Sequence, residues 1–139
     1  MELQLAREIL SQENCTCVLV RGESALKSHD RGVKPLMQWM EQGLDLTGYC
    51  AADKVVGKAT AYLYAQLGIH SVYAPVISRG AVQVLQRYGI EYTCDELVEA
   101  IFNRARDGFC PMESAVRSVD DRETAMQIIL EKYKQMIRK

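Results

Sequence analysis

Between residues 46 and 92 the sequence alternates short β-rich runs with stretches of helical spacing, each helical stretch ending at a glycine. Few folds accept that rhythm. Ser71 to Ile77, read as SVYAPVI, is the strongest strand signal in the chain because β-branched and aromatic residues fill it. Pro75 inside it marks an edge position, a bulge or the strand's end. Before it, Val55, Val56, Ala59, Tyr62, Leu63 and Leu67 share one face of a helix expected over residues 54–67, with Gly68 as its stop. After it, Ala81, Val82, Leu85 and Tyr88 mark a second helix closed by Gly89. Leu46 to Cys50 and Ile90 to Tyr92 supply flanking strands. Strands joined through helices at this spacing imply right-handed crossovers and a largely parallel sheet.

The flanks complete the pattern. Leu3, Ala6, Ile9 and Leu10 predict an amphipathic helix over residues 2–13. Cys15 to Val20 and Ser24 to Ser28, separated by a turn at Gly22, read as an antiparallel hairpin. Pro35 opens a helix carrying Leu36, Met37 and Met40. Thr93 and Glu96 form a capping-box signature, which predicts a helix burying Leu97, Val98 and Ile101. Asp120 and Glu123 repeat that signature before a last helix. At 139 residues, with 48% apolar and 25% charged residues, the chain suits one domain with its own core, over residues 1–139.

Composition narrows the function classes. With 17 basic and 18 acidic residues the net charge is −1, so no basic surplus favours nucleic acid. No run of about 18 apolar residues suggests a membrane helix. The opening MELQLAREIL has no uninterrupted apolar stretch of the signal-peptide kind. Five cysteines form an odd set, which fits reduced thiols and a cytoplasmic setting.

Two stretches carry a family resemblance. Gly48-Tyr49-Cys50-Ala51-Ala52-Asp53-Lys54 leads from strand to helix, and Ala74-Pro75-Val76-Ile77-Ser78-Arg79-Gly80-Ala81 does so again. This resembles the core of a cytidine-deaminase-like domain. More specifically, Ala52 to Ala59 with Asn103-Arg104 and Cys110-Pro111-Met112-Glu113 resembles a small prokaryotic family of unknown function in that superfamily. The resemblance implies a three-layer α/β/α fold, with a mixed sheet of about five strands and an N-terminal antiparallel hairpin. It implies no established activity. Zinc deaminases place H-x-E or C-A-E at the first core helix and P-C-x-x-C at the second. A catalytic zinc needs three protein ligands, a water and a proton-moving Glu. Here Cys50 could stand for the first ligand, but Ala52 takes the Glu place and Asp53 comes one residue late. Ser78-Arg79-Gly80-Ala81 offers neither thiol nor imidazole. No metal and no cofactor are expected, and zinc-dependent deamination is disfavoured.

The remaining candidates follow from position. Asp53 and Lys54 would open the first core helix at a strand's carboxyl end, where open α/β sheets hold ligands; the plain structural reading is a dipole-favoured Asp beside a solvated Lys. Lys58, one turn on, could face the same mouth, although Gly57-Lys58-Ala59 fails the phosphate-loop pattern. Ser78 and Arg79 would open the second helix, where free N–H groups and a guanidinium suit an anion, or where Ser78 is an ordinary N-cap. Cys110 precedes Pro111 and would cap a helix, a position that favours a thiolate, although no His is assignable as its base. Asn103 and Arg104 would end a helix, where Arg complements the dipole, and Glu113 would cap a short helix or face the Cys110 region. Two functions compete. One is metal-independent binding of a small anionic or nucleotide-like ligand between the two helix N-termini, with Asp53 and Cys110 as catalytic candidates if it is an enzyme. The other is a non-catalytic interaction module that forms a homo-oligomer.

Overall fold

The computed structural model describes residues 2–30, 32–101 and 111–137. Helix α1 (Glu2–Gln12) leads into the hairpin β1 (Cys17–Arg21) and β2 (Ser24–Ser28), followed by α2 (Lys34–Glu41). Strands β3 (Cys50–Asp53) and β4 (Val55–Val56) precede α3 (Lys58–Leu67), β5 (Ser71–Ser78), α4 (Arg79–Arg87) and β6 (Glu91–Val98). Helices α5 (Pro111–Val116) and α6 (Arg122–Ile137) close the chain's described part. No described helix is long and apolar enough to cross a membrane.

The sheet is mixed, as expected. β1 pairs antiparallel with both β2 and β3, whereas β3, β4 and β6 all run parallel to β5. β6 pairs with β5 from Ser71 to Ser78, which occupies one full edge of that strand. β3 and β4 therefore share the other edge and amount to one strand broken at Lys54. The break lies alongside Pro75, which brings no backbone N–H to the ladder. None of the three readings of Pro75 is found: β5 is central, runs on to Ser78, and keeps one register past Pro75, with Ala52 opposite Tyr73 and Val55 opposite Val76. The faces change across the break although the register does not. Ala74 and Ile77 lie in one core cluster, as do Ala51 and Val56, although strict alternation would separate each pair.

Three layers result. On one face Ala6 and Leu10 of α1 pack against Val18, Val20, Ala52 and Tyr73. On the other, Leu19, Ala51, Val72 and Ile77 meet Leu36 of α2, Leu63 of α3, Leu85 of α4, Val116 of α5 and Ile129 of α6. β1 buries alternate residues on opposite helical layers, which explains why Cys17 to Val20 are apolar and buried throughout while β2, at the edge, is largely exposed.

Three boundaries differ from the sequence reading. The helix expected from residue 54 starts at Lys58, because Val55 and Val56 pair with Val76 and Ile77, and Gly57 is the N-cap in extended conformation. The strand expected at Leu46 to Cys50 is displaced to Cys50–Asp53; Tyr49 N–H instead closes a turn onto Leu46 O. The capping box at Thr93 and Glu96 opens no helix: Thr93 and Glu96 are inside β6, opposite Tyr73 and Val76. Pairing with a buried central strand overrides a local signature. At the last helix Asp121, not Asp120, accepts the Thr124 N–H at 2.8 Å.

Candidate functional site

The two core helix starts do approach one another. Gly80 of α4 faces the Lys58 stem at ordinary contact distance, 3.5 Å from a Cβ built at Gly80. Gly57 offers no capping side chain to α3, so the helix's free N–H groups need an acceptor. Glu113 of α5 supplies it: its Oε2 accepts the Ala59 N–H at 2.9 Å. A Cβ on Gly57 would collide with that carboxylate, so glycine here is a condition of the plug. Lys58 donates to Arg117 O at 3.0 Å and lies 4.0 Å from Asp120 Oδ1. Ser78 is buried and its Oγ accepts the Ala81 N–H at 3.2 Å, the ordinary N-cap role. Arg79 pairs with Glu99 at 2.5 Å on the surface. The polar groups of this cleft are thus engaged with one another.

Asp53 and Lys54 separate. Neighbouring residues on a strand point to opposite faces. Asp53 turns toward α3, where its Oδ2 accepts the Tyr64 hydroxyl at 2.8 Å. Tyr64 Oη lies 3.5 Å from Cys17 Sγ, and Cys17 stands directly opposite Asp53 in the β1–β3 register. All three are buried. Burial lifts the Asp53 carboxyl from its ordinary 3.8 to about 7, against hydrogen bonds from Tyr64 and the Val55 and Lys54 backbone that favour its ionised form. Burial first, and the Asp53 charge second, push the Cys17 thiol and the Tyr64 phenol well above their usual values. A carboxyl sealed beneath α3 is a poor catalyst for an outside substrate. The expectation of Asp53 at a helix start failed because the helix begins five residues later.

Lys54 instead enters a groove of about 730 Å³ between α1 and the sheet. Its floor is Tyr73, Pro75 and Val55, and its walls include Arg7, Asn14 and Lys54, with Glu8 the one acid among them. The Arg7 guanidinium sits 4.0 Å above the Tyr73 ring centroid, and Lys54 Nζ is 3.4 Å from Asn14 Oδ1. Neither cation makes an ion pair among the described residues. The Tyr73 hydroxyl is tied to Asp95 at 2.7 Å; that bond, followed by burial, raises its pKa. A second opening of about 510 Å³ lies at the amino ends of β5 and β6, lined by Glu2, His70 and Glu91 and therefore richer in acid.

The sequence reading missed Arg7, Asn14 and Tyr73. Gln4, Arg7, Glu8 and Ser11 do recur at helical spacing, so the polar face of α1 was visible, but its meeting with Tyr73 was not. Asn103, Arg104 and Cys110 lie outside the described residues. Among those described, no group of three His, Cys, Asp or Glu side chains could hold a metal ion. The true start of α3, Gly57-Lys58-Ala59, brings no imidazole, thiol or carboxylate, so the donor count that argued against zinc is unchanged by the shifted boundary.

Residues 5–133 match the family model described as TM1506, domain of unknown function DUF1893. A crystal structure of a DUF1893 family protein (TM1506) from Thermotoga maritima is similar at 28% identity with a TM-score of 0.87, covering 94% of this chain and 89% of that one. Apo dCMP deaminase from the cyanophage S-TIM5 is matched at 16% identity and a TM-score of 0.46, covering 67% of this chain and 93% of that one. The same enzyme in complex with dCMP and dUMP gives 13%, 0.45, 66% and 92%. No curated protein matches the chain.

Proposed function

We propose, for this chain, which belongs to the DUF1893 family of unknown function, metal-independent binding of a small anionic ligand in the groove between α1 and the sheet. One observation carries the reading. Arg7 and Lys54 line the same groove without a carboxylate partner among the described residues, beside the Asn14 amide and over a partly apolar floor. Elsewhere the described salt bridges neutralise Lys27, Lys34, Lys58 and Arg79. Two cations against one acid, Glu8, on a concave surface give it a net positive lining of the kind that recognises phosphate or carboxylate. The cleft between the helix starts is a poorer host, since Glu113 already provides α3 with its anion.

The test is a thermal-shift titration of the full chain in EDTA with inorganic phosphate, nucleoside monophosphates and small dicarboxylates. At 100 times Kd a bound ligand adds about 2.7 kcal/mol, a Tm rise of several degrees. Arg7→Gln with Lys54→Gln should abolish that rise, whatever it does to the unliganded Tm. An undiminished rise in the double variant refutes the groove.

A second reading, a non-catalytic module that self-associates, is favoured by the same Glu113 plug, since a cleft closed by the chain's own side chain has no use for substrate. Sedimentation equilibrium decides it: a monomer at micromolar concentration removes this reading and leaves the first untouched.

A further inference from the structure

β6 is the last strand on its side of the sheet, and among the described residues nothing pairs with its outer edge. Eight residues of extended chain give a template of roughly 26 Å. About half of its backbone N–H and C=O groups point away from β5, available to an added strand. The side chains on this strand have an unusual character. Glu91, Asp95 and Glu96 are exposed, and no Lys or Arg occurs from Glu91 to Val98. Asp and Glu are depleted in strands, so their concentration here is not explained by strand propensity.

Register fixes the face they occupy. Glu91, Thr93 and Asp95 alternate, and Thr93 lies opposite Tyr73, whose ring belongs to the α1 layer. Asp95 is on that side too, since it holds the Tyr73 hydroxyl. Glu91 and Asp95 therefore form an acidic row along the α1 side of the sheet, and their exposure shows that α1 leaves them uncovered. Glu99, just beyond the strand, is already paired with Arg79. Two copies of this edge brought together would set acid against acid, which disfavours self-pairing.

We propose that the outer edge of β6 is a docking site for an extended basic segment of a partner protein, added to the sheet as a further strand with Lys or Arg at alternate positions. Main-chain hydrogen bonds would supply attachment, and the acidic row would choose register and partner. The same charges would guard the edge against other copies of this chain. The groove lies across β5 from this edge, and Asp95 touches it only through the Tyr73 hydroxyl.

The experiment uses the full chain and fluorescent eight-residue peptides. One alternates Lys with Val; a second replaces each Lys by Glu; a third keeps the Lys residues but carries Pro at the alternate positions, removing backbone donors. Anisotropy should show salt-sensitive binding of the first peptide, at least tenfold weaker binding of the other two, and a similar loss for the first on the Glu91→Gln, Asp95→Asn variant. Hydrogen exchange should show unprotected β6 amides in the free chain that become protected with peptide. Equal binding of the Lys and Glu peptides, no binding at all, or β6 outer amides protected before any peptide is added would each overturn the proposal.

Discussion

Replacing Asp53 by Asn should change how stability depends on pH more than any other single substitution in this domain. Asp53 is the only buried carboxylate among the described residues, and no cation is buried with it. Burial lifts its folded-state pKa to about 7, while the unfolded chain keeps the ordinary 3.8. The sign follows from proton counting. Between those two values the folded protein holds a proton that the unfolded chain has released, so stability falls as pH rises through that window. Below it Asp53 contributes no pH dependence, and above about 7 the full penalty is present. A shift of about three units corresponds to on the order of 4 kcal/mol. Asn keeps an acceptor for Tyr64 and carries no charge. Urea unfolding of both proteins from pH 4 to pH 8 isolates the effect, because every other titrating group is common to the two. The difference in unfolding free energy should move toward the Asn variant by roughly 4 kcal/mol across the range. Parallel curves would refute the burial argument.

Other substitutions test the remaining contacts. Glu113→Ala removes the acceptor from the start of α3 and should cost about 1 kcal/mol of stability by denaturant unfolding, within the range of lost helix caps. Gly57→Ala displaces the same carboxylate and should cost up to as much in the native background, yet less beside Glu113→Ala, because the added methyl then meets no carboxylate; strictly additive costs would contradict the plug. Ser78→Ala should lose about 1 kcal/mol through the cap of α4, with ligand-induced shifts unchanged, whereas a ligand role for Ser78 would remove those shifts. Tyr64→Phe withdraws a donor from the Asp53 carboxylate, so its destabilisation should be larger at pH 8 than at pH 5; equal loss at both would place the hydroxyl's contribution elsewhere.

The parts of the fold legible in the sequence were those whose local and global preferences agree. Ser71 to Ile77 is β-branched and also central; α4 has a Ser N-cap, an apolar stripe and a glycine after it. Where the two disagree, local reading failed. Val55 and Val56 fit the helical phase of Ala59 and Leu63 equally well, and only pairing with Val76 and Ile77, some twenty residues on, assigns them to the sheet. Thr93 and Glu96 satisfy a capping rule but are held by β5. The groove was least legible, because its walls come from α1 and Lys54 and its floor from β4 and β5. Lys54 was singled out for charge at a strand's end, and it does reach a concave surface, but on the opposite face from Asp53. Glu113 was expected to cap a helix; it caps α3 rather than its own.

The central claim concerns where a small anion sits and what holds it. Amide chemical shifts of the full chain, titrated in EDTA with inorganic phosphate and then a nucleoside monophosphate, address it directly. Saturable changes are expected at Arg7, Asn14, Lys54 and Tyr73, with Gly57 to Ala59 and Ser78 to Ala81 still. Changes confined to those two helix starts, or binding that appears only when a divalent metal is restored, would contradict it.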